Sequence, residues 1–134
     1  DRNIADAVGL GAALDYLERI GIDNVTRYEH DLLLYATQGL SRVPGLRLIG
    51  TAPEKAGVLS FVLNGFRSED VGDALNREGV AVRSGHHCAQ PILRRFGLES
   101  TVRPSLAFYN TCADIDASVA ALLRIQGGRN AWLA

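Results

Sequence analysis

Methionine is absent from this 134-residue chain, tryptophan occurs once, and of its 14 basic residues all but Lys55 are arginine. A single lysine leaves one side-chain amine for any chemistry that needs a Schiff base. Cysteine is nearly as scarce. Cys88 and Cys112 are too few to staple a domain of this size, which excludes a disulfide framework and reads as two free thiols in a reducing cytoplasm. No apolar run approaches the roughly 20 residues that span a bilayer. Asp1-Arg2-Asn3-Ile4 lacks the layout of a signal peptide, and a start without methionine reads as a processed chain or a piece of a longer one. An excess of charge of one sign is missing as well. The formal net charge is −1 and the charges are dispersed, so neither nucleic acid nor a membrane surface is an expected partner.

What is present fits one globular domain, with apolar residues at 47% and enough length for a real core. Leu10, Ala13, Leu14, Leu17 and Ile20 recur at helical spacing within 5–20, and Gly21 ends that helix. Asp23 or Asn24 is the expected cap of a second helix with Val25, Tyr28, Leu32, Ala36 and Leu40 as its stripe, ended by Pro44-Gly45. Leu46 to Ile49 and Gly57 to Leu63 have strand character, the second as a buried strand. Ser68 is the expected N-cap of a helix using Val71, Ala74 and Leu75 and closing at Gly79. Val80-Ala81-Val82 is a short strand candidate. Pro91 suits the start of a short helix with Ile92, Leu93 and Phe96 inside. Val102 to Tyr109 is a further strand, placed at an edge or delayed by Pro104. Thr111 with Asp114 has capping-box spacing ahead of a helix burying Ile115, Val119, Leu122 and Leu123. This order predicts an α/β or α+β domain with helices packed on a small sheet.

The segment Arg83-Ser-Gly-His-His-Cys88-Ala-Gln-Pro91 carries the sharpest chemical signal. A thiol becomes nucleophilic when its thiolate is stabilised, and this neighbourhood offers His86, His87, Arg83 and a helix N-terminus near Pro91. On these residues alone, Cys88 as a nucleophile and Cys88 as a small buried core residue stand equal. His86, His87 and Cys88 are also metal-ligand types, but three adjacent residues rarely aim at one ion and no CxxC or HxxxH partner accompanies them. Arg103 stands in an otherwise apolar strand. It reads either as a bidentate carboxylate binder or as an edge-strand arginine reaching solvent. Cys112, His30 and Trp132 carry no assignable role; Trp132 reads as a tail anchor or a dimer contact.

Gly79-Val-Ala-Val-Arg-Ser-Gly-His-His-Cys88-Ala-Gln-Pro91 resembles the active-cysteine segment of type II cysteine desulfurases, which are fold-type I pyridoxal-phosphate enzymes of the class V aminotransferase group. Val102-Arg103-Pro-Ser105-Leu-Ala-Phe-Tyr109-Asn-Thr111 resembles the segment that follows it in that family. Gly9-Leu-Gly-Ala-Ala-Leu14 and Gly57-Val-Leu-Ser-Phe61 fall in the expected order upstream. The resemblance implies a small mixed or antiparallel sheet with helices on it, the C-terminal small domain of such an enzyme. On that footing residues 1–44 are connecting helices, 45–134 the small domain, and the large cofactor domain lies outside the chain. It implies that Cys88 takes sulfur from L-cysteine as a persulfide, leaving L-alanine. Arg103 then binds the substrate carboxylate, Arg83 is an active-site arginine, and His86 and His87 flank the thiol. Pyridoxal 5′-phosphate, a homodimer, a sulfur-acceptor protein of iron–sulfur cluster assembly and a cytoplasmic setting follow from the same source. Selenocysteine lyase is the near alternative, and a non-enzymatic sulfur carrier a distant one. Pro104 departs from the small residue expected there, and Lys55 stands in the wrong segment for the cofactor lysine. The 134 residues alone are therefore expected to be inactive and to need a cofactor domain.

Overall fold

The computed structural model describes residues 3–131; Trp132 lies outside the described residues. Five helices and four short strands follow one another as α1 (Ile4–Ile20), α2 (Ile22–Ser41), β1 (Leu46–Leu48), β2 (Phe61–Leu63), α3 (Ser68–Arg77), β3 (Arg83–Gly85), α4 (Gln90–Arg95), β4 (Thr101–Arg103) and α5 (Cys112–Ala131). The strands form one sheet in the order β1-β2-β4-β3, every neighbouring pair antiparallel. The architecture is the small sheet with helices packed on it that the sequence predicts, and of the mixed and antiparallel forms that the resemblance implies it is the antiparallel one.

Helix boundaries follow local chemistry. Asn3 caps α1 by accepting from the Asp6 backbone N–H at 3.2 Å. Gly21, at φ 90°, ends α1 and at the same time stands as the N-cap of α2. The second helix therefore begins ahead of the expected caps Asp23 and Asn24, and the Asn24 amide instead donates to the Ile20 carbonyl at 2.8 Å. Arg67, in extended conformation, takes the N-cap place expected of Ser68, which becomes a buried first helical residue. Thr111 and Asp114 do form the reciprocal capping box of α5. The Thr111 N–H donates to the Asp114 carboxylate at 2.8 Å, and this bond, first among several, holds that carboxyl below its ordinary pKa.

Three strand expectations are corrected by where backbone donors go. Val80-Ala81-Val82 is not a strand, because the Val80 N–H is used on the Leu75 carbonyl at 2.9 Å to close α3; the ladder starts at Arg83. The β2 ladder is confined to Phe61–Leu63, with an isolated bridge from Val58 to Ser105. The Val102-to-Tyr109 run ends as a strand at Arg103 because Pro104 has no N–H to donate. Pro104 does not, however, mark an edge: β4 lies between β2 and β3, and the edges are β1 and β3.

The core gathers Leu32, Leu33, Ala36 and Leu40 of α2, Phe61 and Leu63 of β2, Val71 and Leu75 of α3, Val102 of β4, and Ile115, Ala121 and Leu122 of α5. Fully burying one such large side chain contributes about 1.5–3 kcal/mol. Not every predicted core position is inside: Leu123, Ile92, Phe96 and Tyr28 are exposed. The larger correction is α1, whose Leu10 and Leu14 are exposed together with Ile4 and Val8 and which buries no residue. Its periodic stripe has α2 to one side and a ring contact from Tyr16 to Phe108, centroids 6.3 Å apart, and is otherwise open.

Candidate active site

Strand alternation builds the site. Val102 points into the core, so its neighbours Thr101 and Arg103 lie on the sheet face turned away from the helices. The β3–β4 register sets Arg83 opposite Arg103, Ser84 opposite Val102 and Gly85 opposite Thr101. Residues directly opposite share a face. Arg83 and Arg103 therefore stand side by side on the open face, and Ser84 turns toward α3. There a Cβ added to Gly72 would sit 2.6 Å from the Ser84 oxygen, so only glycine lets α3 lie this close to β3.

Gly85 leads directly into the His86–Ala89 turn, closed by the Ala89 N–H on the His86 carbonyl at 2.8 Å. His87 and Cys88 both adopt left-handed backbone conformations, φ 55° and 57°, uncommon for residues with a side chain. The Cys88 N–H donates to His86 Nδ1 at 3.1 Å, and the Cys88 side chain is exposed. This turn precedes α4, six residues long, which carries no side-chain cap. The helix N-terminus expected beside Cys88 is therefore that of a very short helix, and the main fixed features of the turn are its backbone form and its two imidazoles.

His87 points the other way, toward β4. Its Nε2 lies 3.1 Å from the Thr101 carbonyl and 3.0 Å from Thr101 Oγ1, and Ser60 Oγ donates to that same Oγ1 at 2.7 Å. Thr101 is fully buried. Burial, the largest cause, pushes the His87 imidazole below its ordinary pKa; the guanidiniums of Arg103 and Arg83 and the ring of His86 act in the same direction, against the bond to Thr101.

The paired arginines are an unfinished arrangement. Like charges directly opposite on a sheet are unfavourable. Arg103 Nε is buried and has no hydrogen-bond partner in the structure, and leaving a buried donor unmade costs about 1–3 kcal/mol. A planar anion bridging the two guanidiniums would answer both, because the guanidinium fork matches a carboxylate in two parallel bonds.

Cys88, His86, His87, Arg83 and Arg103 thus come from the edge strand β3, its neighbour β4 and the turn that leaves β3. Thr101 and Ser60 belong to the same cluster and were not picked out from sequence. The available signal is spacing: Thr101 precedes Arg103 by two, so a polar residue that looks incidental shares the arginine's face. Cys112 opens α5, exposed and apart from the turn, and His30 is exposed on α2 as its polar surroundings suggest. Among the described residues no three or more His, Cys, Asp or Glu side chains gather to hold a metal ion, and no helix is long and apolar enough to cross a membrane.

The profile of the aminotransferase class V family matches residues 2–117. A cysteine desulfurase of Synechococcus elongatus is 68% identical over 126 residues, covering 94% of this chain and 20% of that protein. A probable cysteine desulfurase of Mycolicibacterium paratuberculosis is 63% identical, covering 96% of this chain and 19% of its own length. Among solved structures, the Escherichia coli cysteine desulfurase CsdA in an S-sulfonic acid form superposes with TM-score 0.87 at 34% identity, over 95% of this chain and 31% of that one. The apo cysteine desulfurase of Thermococcus onnurineus superposes with TM-score 0.89 at 35% identity, over 94% and 32%. The chain thus spans between 19% and 32% of the length of these relatives.

Proposed function

The chain belongs to the aminotransferase class V family, and within it we propose that it is the thiol-bearing part of a cysteine desulfurase acting on L-cysteine. One observation carries the reading: an exposed thiol on a left-handed turn adjoins a cross-strand arginine pair in which Arg103 Nε has no partner. Thiol and guanidinium are what a substrate with a sulfur at one end and a carboxylate at the other requires. The desulfurase names of relatives at 68% and 63% identity support it.

Arg103, with Arg83 opposite, binds the carboxylate and orients the substrate so that its sulfur faces the turn. Cys88 Sγ then forms a bond to the substrate sulfur as that sulfur's bond to carbon breaks. The electron pair stays with the carbon fragment, the proton given up by Cys88 ends on it, and it leaves as alanine. Cys88 keeps the transferred sulfur with its hydrogen as a persulfide, so no external oxidant or reductant is needed. Pyridoxal phosphate, proposed as the cofactor of the whole enzyme, supplies the electron sink that loosens the carbon–sulfur bond. Among the described residues, the surroundings of the one lysine do not fit this cofactor. Lys55, the one lysine, lies in the irregular β1–β2 connection, and residues 49–60 contain no helix whose N-terminus could take the phosphate.

A sulfur acceptor of iron–sulfur assembly, a homodimer and a cytoplasmic location belong to the same proposal. The exposed apolar residues of α1 support its being covered by further chain or a second copy. In the full-length enzyme, Cys88→Ala is expected to end alanine production from cysteine while the cofactor absorbance is retained. Undiminished turnover in that variant would remove the thiol from the reaction.

A further inference from the structure

Two consecutive left-handed residues with side chains cost roughly 1–2 kcal/mol each, so the turn that presents Cys88 must be held by something. His86 ties it from outside, through the Cys88 and Ala89 N–H groups. His87 ties it from inside. A carbonyl oxygen only accepts hydrogen bonds, so the short approach of His87 Nε2 to the Thr101 carbonyl places the ring hydrogen on Nε2. Thr101 Oγ1 takes the other branch of that bond and also accepts from Ser60, so the imidazole is moored to two strands, β4 and the chain leading into β2. Nδ1 is then an unprotonated lone pair, and it is buried with no partner. The mooring residue precedes Arg103 by two on the same strand and face.

We propose that His87 is a positioning residue for Cys88: held through its Nε2–H by Thr101, it fastens the left-handed turn to the strand that bears Arg103, so that thiol and guanidinium keep one spacing. The inference rests on the desulfurase reading for its kinetic consequence, but not for its structural one. Burial first, and then the charged and titratable groups Arg103, Arg83 and His86, oppose a second proton on the ring, against the bond to Thr101, which favours one. The ring acts on the substrate only through the geometry it enforces on its neighbour. The unpaired Nδ1 fits this: a ring serving only as packing would not leave a buried acceptor without a donor, whereas a ring held by its other nitrogen has no choice of orientation.

The test uses the full-length polypeptide and the variants His87→Ala, His87→Gln and Thr101→Val. Nitrogen NMR of histidine-labelled protein reads the tautomer directly: a proton on Nε2 near neutral pH is expected, and a proton on Nδ1 overturns the proposal. The rate at which a small alkylating reagent modifies Cys88 reads the turn without substrate or cofactor. It should change several-fold in His87→Ala and Thr101→Val and return toward the parent in His87→Gln, whose amide can still donate to Thr101. With cysteine, His87→Ala should lower kcat by about 10–100-fold, the cost of misplacing a reacting atom by about an ångström, with KM nearly unchanged because Arg103 still binds the carboxylate. A raised KM at unchanged kcat, or equal alkylation rates in all four proteins, would overturn it. Failure of the parent protein to desulfurate cysteine would sink the functional reading alone, since the tautomer and the alkylation rates still decide the role of His87.

Discussion

The two faces of this four-stranded sheet are built on opposite rules. On one, Phe61, Leu63 and Val102 meet the apolar sides of α2, α3 and α5 and are buried with them. On the other, Thr101, Arg103 and Arg83 stand beside a strained turn, with a buried donor on Arg103 and a buried ring nitrogen of His87 both without a partner. The same alternation of residues along β4 sorts them, one position to each face. The contrast teaches that the closed face supplies the stability that lets the open face stay unsatisfied, as sites poised for a ligand do.

That contrast can be broken from either side. The largest expected effect is on the closed face: Phe61→Ala should destabilise by about 3–5 kcal/mol, through lost burial and the cavity it leaves. Cys88→Ala, on the exposed turn, should move stability by no more than about 0.5 kcal/mol. Urea denaturation of both variants checks the pair, and a comparable loss in the two would erase the distinction between faces. Next comes Arg103→Lys in the full-length enzyme. Losing the two-pronged carboxylate contact should cost about 1.5–3 kcal/mol, read as an apparent KM for cysteine raised about 10–100-fold. An unchanged KM would make Arg103 an ordinary strand residue.

Gly72→Ala probes the seam where α3 meets the edge strand. The added methyl would meet the Ser84 side chain, and a loss of about 1–3 kcal/mol is expected, part of it recovered when Ser84 is also changed to glycine. The smallest effect concerns pH. The folded-state pKa of His87 lies below its unfolded value of about 6.5. As pH falls below that value, the unfolded chain takes up a proton that the folded chain refuses, so stability declines toward acid through this window. His87→Gln should flatten that slope in denaturation midpoints compared near pH 7 and pH 5; an identical slope would show that His87 does not titrate differently on folding.

How much of this was legible in the sequence follows the same division. Five helices and a small sheet announce themselves through apolar periodicity and punctuation by glycine and proline, and Thr111–Asp114 identifies its cap by spacing alone. The strand limits did not, because they depend on which backbone N–H is already taken: Val80 reads as strand until its N–H closes α3. The stripe of α1 reads as core, yet periodicity cannot say whether the covering surface lies within the same chain segment. At the site, Cys88, Arg83 and Arg103 stand out as residue types, and their motif carries the family resemblance. Thr101 and Ser60 do not, since a threonine in a strand is ordinary until the register puts it under an imidazole. The left-handed pair at 87 and 88 is likewise invisible, neither residue being glycine.

The central claim is that the thiol on the open face receives sulfur from the substrate. The most direct measurement is to incubate the full-length enzyme with L-cysteine, trap sulfur-bearing thiols by alkylation, and map the modified peptides by mass spectrometry. One added sulfur atom is expected on the peptide containing Cys88 and none on that containing Cys112. Alanine formed while the added sulfur sits on Cys112, or on neither cysteine, would contradict it.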